Sequence, residues 1–369
     1  MNFSCRTAHL SSAVNTVQKA VPTNTTLPAL TGVMISAVND KLKLICNNLE
    51  ICVECTVPAK ISQNGVILVN SRIFFEIVRK IKDDEITVAL SGNNVQINTA
   101  TSSFEILSMS TDDFPLPEQF SQSPLISLEE NKLRDMIKST IFSAGVNSEK
   151  MILTGCLFEF KKSSVRMVAV DGYRLAIRTE ELPENMFEGN FVVPAKALSE
   201  LLKILTDSEE NLYISFSDKN ILFEFQNVKF YTKILDGEFI DYEKIIPNDF
   251  TTKIHTDKSE MENALEQVSI MVNNDKFKSP LEIKISGDSV EFCCSSVAGS
   301  AKRLIKPQIS GEELRIGFNN KFLLDAVKNC HEEDFCVSFG SPVSPCLFHR
   351  DDSDNFKFLI LPVRLKDEF

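Results

Sequence analysis

The chain has 369 residues, 43% of them hydrophobic and 24% charged, with a formal net charge of -12. That length is more than one hydrophobic core usually serves, so two or three domains are expected, and the balanced composition excludes a disordered or low-complexity protein. No apolar run approaches the ~18 residues of a membrane span, and the opening Met1-Asn2-Phe3-Ser4-Cys5-Arg6 lacks a basic stretch leading into an apolar core, so the chain is expected to stay in the cytosol.

In chain order, Leu10, Ala13, Val14 and Val17 recur at helical spacing, and the alternating Leu42-Lys43-Leu44 suits a half-buried strand. Val69 ends a strand, Asn70 opens a helix over about 71–82, and Val95-Gln96-Ile97 alternates again. After the turn-rich Asp112-Asp113-Phe114-Pro115-Leu116-Pro117, the stripe Leu133, Met136, Ile137, Ile141 predicts a helix over 129–145. Val193-Pro194 leads into a helix over 194–205, and Ile221 to Phe225 reads as a strand. Turns at Asp236-Gly237 and Pro247-Asn248-Asp249 precede a helix over 257–271 with Met261, Ala264, Leu265 and Val268 on one face. Leu281 to Ile285 alternates, and Phe318-Asn319 enters a last helix over 319–329.

These elements repeat. Asn70, Pro194 and Asn319 are 124 and 125 residues apart, and the preceding helices, counted from Leu10, Leu133 and Met261, are offset by 123 and 128. An internal repeat fixes architecture more firmly than local propensity. The expected fold class is α+β, three repeated units each of two helices packed on antiparallel sheet, with domains at 1–120, 121–247 and 248–369.

Chemistry is sparse. The sequence holds no phosphate-binding loop, dinucleotide turn or nucleophile elbow. Cys52-Val53-Glu54-Cys55 is a single CxxC whose thiols would point to opposite faces of a strand, so metal is not expected there. The ten Cys, including Cys293-Cys294, read as reduced thiols used as small apolar residues. His331-Glu332-Glu333 opens like a zincin helix, but Phe335 stands where the second His would be, and a solvated loop is expected. The best catalytic candidate is Asp171, yet Asp171-Gly172 more often marks a turn.

Net negative charge argues at first sight against nucleic acid, but what matters is where basic residues gather. The helix at 71–82 carries Arg72, Arg79, Lys80 and Lys82 against Glu76, for +3; the six helices together sum to +3, so the acidic surplus lies mostly elsewhere. The helix at 257–271, at -3, departs from this pattern.

Several segments together resemble the bacterial DNA polymerase III beta subunit, the beta sliding clamp. They are Ala169-Val170-Asp171-Gly172-Tyr173-Arg174-Leu175-Ala176, the ending Phe358 to Leu365, Thr26-Leu27-Pro28-Ala29-Leu30 and Asp113-Phe114-Pro115, in order over the whole chain with the triple repeat. The resemblance implies a non-catalytic, head-to-tail homodimeric ring without cofactor or metal. Such a ring encircles double-stranded DNA without reading sequence, is placed by a clamp loader, and tethers the polymerase III catalytic subunit, other polymerases and repair proteins through short peptides.

It further implies a partner-peptide pocket between the second and third domains. Its walls would be Leu153, Gly172, Tyr173, Arg174 and Leu175; Ile240, Ile245 and Phe277; Asn319, Phe322 and Val343; and Leu361, Pro362, Val363, Arg364 and Leu365, with Arg174 and Arg364 as rim donors. DNA contacts would fall on Asn24, Arg72, Arg79, Lys80, Asn147, Lys150 and Lys196; Met151 stands where some members have an aromatic residue. The dimer contact would join Phe104 and Ile106 to Met271 and Val272. An enzyme built around Asp171 and Arg174, or a protein scaffold that never touches DNA, are the competing expectations.

Overall fold

The computed structural model describes residues 1–120, 126–146, 148–182, 187–217, 219–273, 279–296 and 299–365. Among them are six α-helices: α1 (Thr7–Val17), α2 (Ser71–Lys80), α3 (Glu130–Thr140), α4 (Ala195–Leu202), α5 (Lys258–Asn273) and α6 (Asn320–Asn329). Each lies where the periodicity places it.

The stripes become buried faces. Leu10, Ala13, Val14 and Val17 of α1, Leu133, Met136 and Ile137 of α3, and Met261, Ala264, Leu265 and Val268 of α5 are all buried. Ile141 is the exception. It lies half-buried in a 3-10 turn, Ile141–Ser143, because α3 stops at Thr140, short of the expected 145. Thr140 Oγ1 donates back to the Met136 carbonyl at 2.7 Å, a local bond that competes with helix continuation.

The helix entrances differ in chemistry and agree in position. Asn70 Oδ1 accepts from the Ile73 amide at 3.1 Å, and Asn319 Oδ1 from the Lys321 amide at 3.0 Å. In the middle repeat Pro194 ends a strand just before α4, where a helix start leaves the amide without an intrahelical partner in any case.

The chain forms two compact units. The first, Met1–Asn131 with Glu200–Ile234, contains a 13-stranded antiparallel sheet, in which strand Val228–Lys233 of the middle repeat pairs with Ile51–Pro58 of the first. α1 packs on strands Lys41–Asn47 and Ile51–Pro58 and against α2. The second unit, Lys132–Ser199 with Leu235–Phe369, contains a nine-stranded and a four-stranded sheet. Here strand Arg174–Glu181 of the middle repeat pairs with Phe356–Ile360 of the last, Arg174 opposite Ile360. The same device, a strand of one repeat completing the sheet of the next, thus occurs within each unit.

In the second unit α5 covers strands Ser289–Ser296 and Gly299–Ile305 and packs on α6, over a core that includes Phe292, Phe318, Phe335, Phe348 and Phe358. Full burial of such a side chain contributes about 1.5–3 kcal/mol each. Phe335, at the place of a zincin's second His, belongs to this core. All ten cysteines are free and buried, and burial pushes the thiols of Cys5 and Cys156 up to about 12, which keeps them protonated and inert.

Candidate functional site

Asp171, Gly172 and Tyr173 close the hairpin between strands Ser164–Val170 and Arg174–Glu181. Gly172 has φ +90°, a region that side chains with a Cβ rarely enter. Asp171 Oδ1 accepts from the amides of Tyr173 at 2.9 Å and Arg174 at 3.1 Å, while its Oδ2 receives Arg174 Nε at 3.0 Å. Asp171 therefore shapes a turn and is neutralised by a cation.

Arg174 does not stand at a rim as a free donor, which corrects the sequence expectation. It is 9% exposed. Its Nη1 donates to Asp325 Oδ2 at 2.7 Å, and its guanidinium carbon lies 4.4 Å from the centroid of the Phe322 ring and 5.6 Å from that of Phe142. A charge taken so far from water needs these partners. Arg364 is the exposed cation of the two.

Above this floor stands an apolar wall. The Tyr173 ring lies 6.4 Å from that of Phe322, tilted by 30°, and remains 64% exposed. The C-terminal segment runs alongside. The Leu361 amide donates to the Tyr173 carbonyl and the Val363 amide to the Gly317 carbonyl, both at 2.8 Å. A Cβ on Gly317 would lie 2.7 Å from Leu365 Cδ2, so the missing side chain is what admits Leu365. Leu361 and Val363 are exposed.

The structure thus gathers Gly172, Tyr173, Arg174, Phe322, Leu361, Val363 and Leu365. Leu153 and Leu175 are buried in one cluster, against which Ile240 packs. Ile245 is exposed at the end of the 3-10 turn Glu243–Ile245, Val343 is exposed in the turn before strand Cys346–His349, Pro362 is half-buried, and Asn319 serves as the α6 cap. Phe277, Asn147 and the Val272 side chain lie outside the described residues. Exposed apolar side chains beside fixed backbone can receive an extended apolar peptide. Sequence reasoning missed Asp325, Phe142 and Gly317; only the helical spacing of Phe322 and Asp325 hinted that α6 presents both on one face.

His331-Glu332-Glu333 is a loop, as expected, but Glu332 is not solvated. Arg178 holds its carboxylate at 2.9 Å.

In the first unit the basic residues named from the sequence lie on the exposed face of α2. Arg72, Arg79 and Lys80 are exposed, as is Asn24. Arg72 Nε is 3.7 Å from Glu76, and Arg79 donates to Asn15 at 3.2 Å and also to Gln18, which ties α2 to α1. Lys19 and Lys203, which sequence reasoning did not single out, line a polar groove with Ser11, Ser12 and Asn15. In the second unit Lys150, Met151 and Lys196 are exposed. Phe104 and Ile106 are half-buried on strand Ser103–Met109, and Met271 is half-buried near the end of α5.

Models of the DNA polymerase III beta subunit match the chain throughout, the N-terminal domain over 1–118, the central domain over 127–241 and the C-terminal domain over 243–364. This chain belongs to the DNA polymerase III beta subunit family, the sliding clamps. It is 30% identical to the beta sliding clamp of Chlamydia muridarum, with both chains covered in full. The crystal structure of the Bacillus subtilis DNA polymerase sliding clamp matches at 29% identity with a TM-score of 0.94, covering 99% of this chain and 100% of that one. The Pseudomonas aeruginosa sliding clamp, solved bound to griselimycin, matches at 25% identity and a TM-score of 0.93 over 99% and 100%. Three clamp domains of helices on antiparallel sheet, as the repeat implied, make up this DNA sliding clamp, a non-catalytic processivity factor of DNA replication. No described helix is long and apolar enough to cross a membrane.

Proposed function

We propose that two copies of this clamp join head to tail in a closed ring around duplex DNA and hold polymerases, the clamp loader and repair proteins there through short peptides bound at the Tyr173–Leu361 wall. The observation that carries the ring is a pair of unpaired strand edges. Among the described residues, 103–107 pair with strand Asn94–Asn98 alone, because strand Gly65–Asn70 reaches only Ser108 and Met109, and strand Gly299–Ile305 pairs with Ser289–Ser296 alone. Soluble proteins shorten, charge or cover their edge strands, and a partner strand is one such cover.

The edges suit each other. Leu107 and Leu304 are exposed, Glu105 lies on the first edge, and Lys302 and Arg303 lie on the second. Phe104 and Ile106 share the first edge; Met271, whose Sδ lies 3.7 Å from where a Cβ of Gly299 would be, borders the second. Domains at 1–120, 121–247 and 248–369 and a cytosolic location accord with this reading.

In such a ring Asn24, Arg72, Arg79, Lys80, Lys150 and Lys196 meet phosphates, giving sequence-independent, salt-sensitive association. Light scattering on the purified chain tests the ring. A mass near twice 41.4 kDa, falling to one chain for Ile106→Asp, is expected. A wild-type monomer at all concentrations overturns it.

A further inference from the structure

We infer that Asp325 is a positioning residue of the partner-peptide wall, acting through Arg174. The inference rests on the reading of that wall as the peptide site and adds a residue that touches no peptide.

Asp325 and Phe322 are three apart on α6 and meet the same guanidinium, the carboxylate at 2.7 Å from Nη1 and the ring 4.4 Å from its carbon. On its other side the guanidinium meets Asp171 at 3.0 Å, and Asp171 fixes the amides of Tyr173 and Arg174. Tyr173 in turn rests on Phe322, and its carbonyl accepts the Leu361 amide. The interactions form a closed circuit, from α6 through Arg174 and the Asp171 turn to Tyr173 and back to Phe322. The exposed apolar wall hangs from that circuit.

Of the two carboxylates, Asp171 lies in the turn just before Arg174, which begins the hairpin's second strand, so its ion pair orders only the turn. Asp325 is the anionic link from this turn to α6. Without its charge, the long Arg174 side chain is held to the helix only by stacking and a weaker neutral hydrogen bond, and the orientation of Tyr173 against Phe322 is less firmly fixed. An interface loses affinity when its anchors must be ordered on binding. The site then carries the cost of aligning Tyr173 and Leu361 at each encounter. Charge-assisted hydrogen bonds between partly buried groups are strong enough for this to be measurable.

The test uses a labelled, extended synthetic peptide with Leu and Phe as apolar anchors for the exposed wall, titrated against the full-length protein by fluorescence anisotropy. Asp325→Asn, an isosteric change, should weaken binding roughly ten-fold while mass and thermal midpoint stay close to wild type, and Asp325→Glu should restore part of the affinity. Val363→Asp should abolish binding. If Val363→Asp removes binding and Asp325→Asn leaves it unchanged, the role of Asp325 is overturned; if Val363→Asp also leaves it unchanged, the peptide-site reading falls first.

A second measurement reads the wall without any ligand. The chain contains no Trp, so Tyr173→Trp introduces a single indole at the stack. Adding Asp325→Asn should red-shift its emission and raise its quenching by acrylamide. Identical spectra in the two backgrounds overturn the positioning role even if Asp325→Asn lowers affinity.

Discussion

Arg178 Nη1 donates to Glu332 Oε1 at 2.9 Å across 154 residues of sequence, and the two side chains are only 12% and 9% exposed. Arg178 also holds Glu180 at 2.9 Å, and Asn355 donates to the same Glu332 oxygen. The pair joins strand Arg174–Glu181 of the middle repeat to the loop after α6 of the last. Removing one member strands the other charge away from water, so Arg178→Ala should destabilise the second unit by about 3 kcal/mol. Urea denaturation followed by circular dichroism checks this, and Glu332→Gln should cost less because the amide still accepts a hydrogen bond.

Acid should weaken the same region. Burial alone would raise the Glu332 carboxyl, but the Arg178 hydrogen bond and charge outweigh it and hold the group below the usual carboxylate range. Burial lowers the neighbouring His331 below its ordinary 6.5, against the opposing charge of Asp135. Both folded-state values are depressed, so both contributions are present above the unfolded values and fade as pH falls through the folded ones. The thermal midpoint is therefore expected to drop first as His331 protonates below 6.5 and again as Glu332 does below its ordinary 4.5, with the second step missing in Glu332→Gln.

Gly317 offers a steric test. A methyl there would meet Leu365 Cδ2 at 2.7 Å and the Val363 carbonyl at 2.8 Å. Gly317→Ala should push the C-terminal segment off strand Leu314–Phe318 and weaken peptide binding, with a small change in melting temperature because the core beneath is untouched. Anisotropy and scanning calorimetry together read both effects.

The helix caps predict a modest, additive destabilisation. Asn70→Ala and Asn319→Ala each remove a bond to a helix amide and should each cost about 1 kcal/mol, near-additively because the two lie in separate units. Denaturant midpoints of the two single variants and the double variant measure this.

Salt dependence separates DNA-facing lysines and arginines from ordinary surface charge. Replacing Arg72 or Lys80 by Ala should lower the slope of log affinity against log salt by about one for each phosphate no longer neutralised. Arg79→Ala should do more, because its bonds to Asn15 and Gln18 also fix α2 on α1. Fluorescence anisotropy with duplex DNA at several salt concentrations decides it.

Sequence alone determined the helices, their buried faces and their threefold recurrence, because Leu10, Ala13, Val14 and Val17, like Met261, Ala264, Leu265 and Val268, report a local period that one turn of backbone imposes. It also determined the caps at Asn70 and Asn319, which act within three residues. The residues of the proposed peptide wall came from motif resemblance, since nothing local distinguishes Leu361 to Leu365 from an ordinary strand. Only the tertiary structure decided that Arg174 is locked between Asp171 and Asp325, that Glu332 is paired with Arg178, and that Gly317 makes room for Leu365. Arg174 and Asp325 are 151 residues apart, and a charge carries no mark of its partner until the chain brings the two within reach of a hydrogen bond.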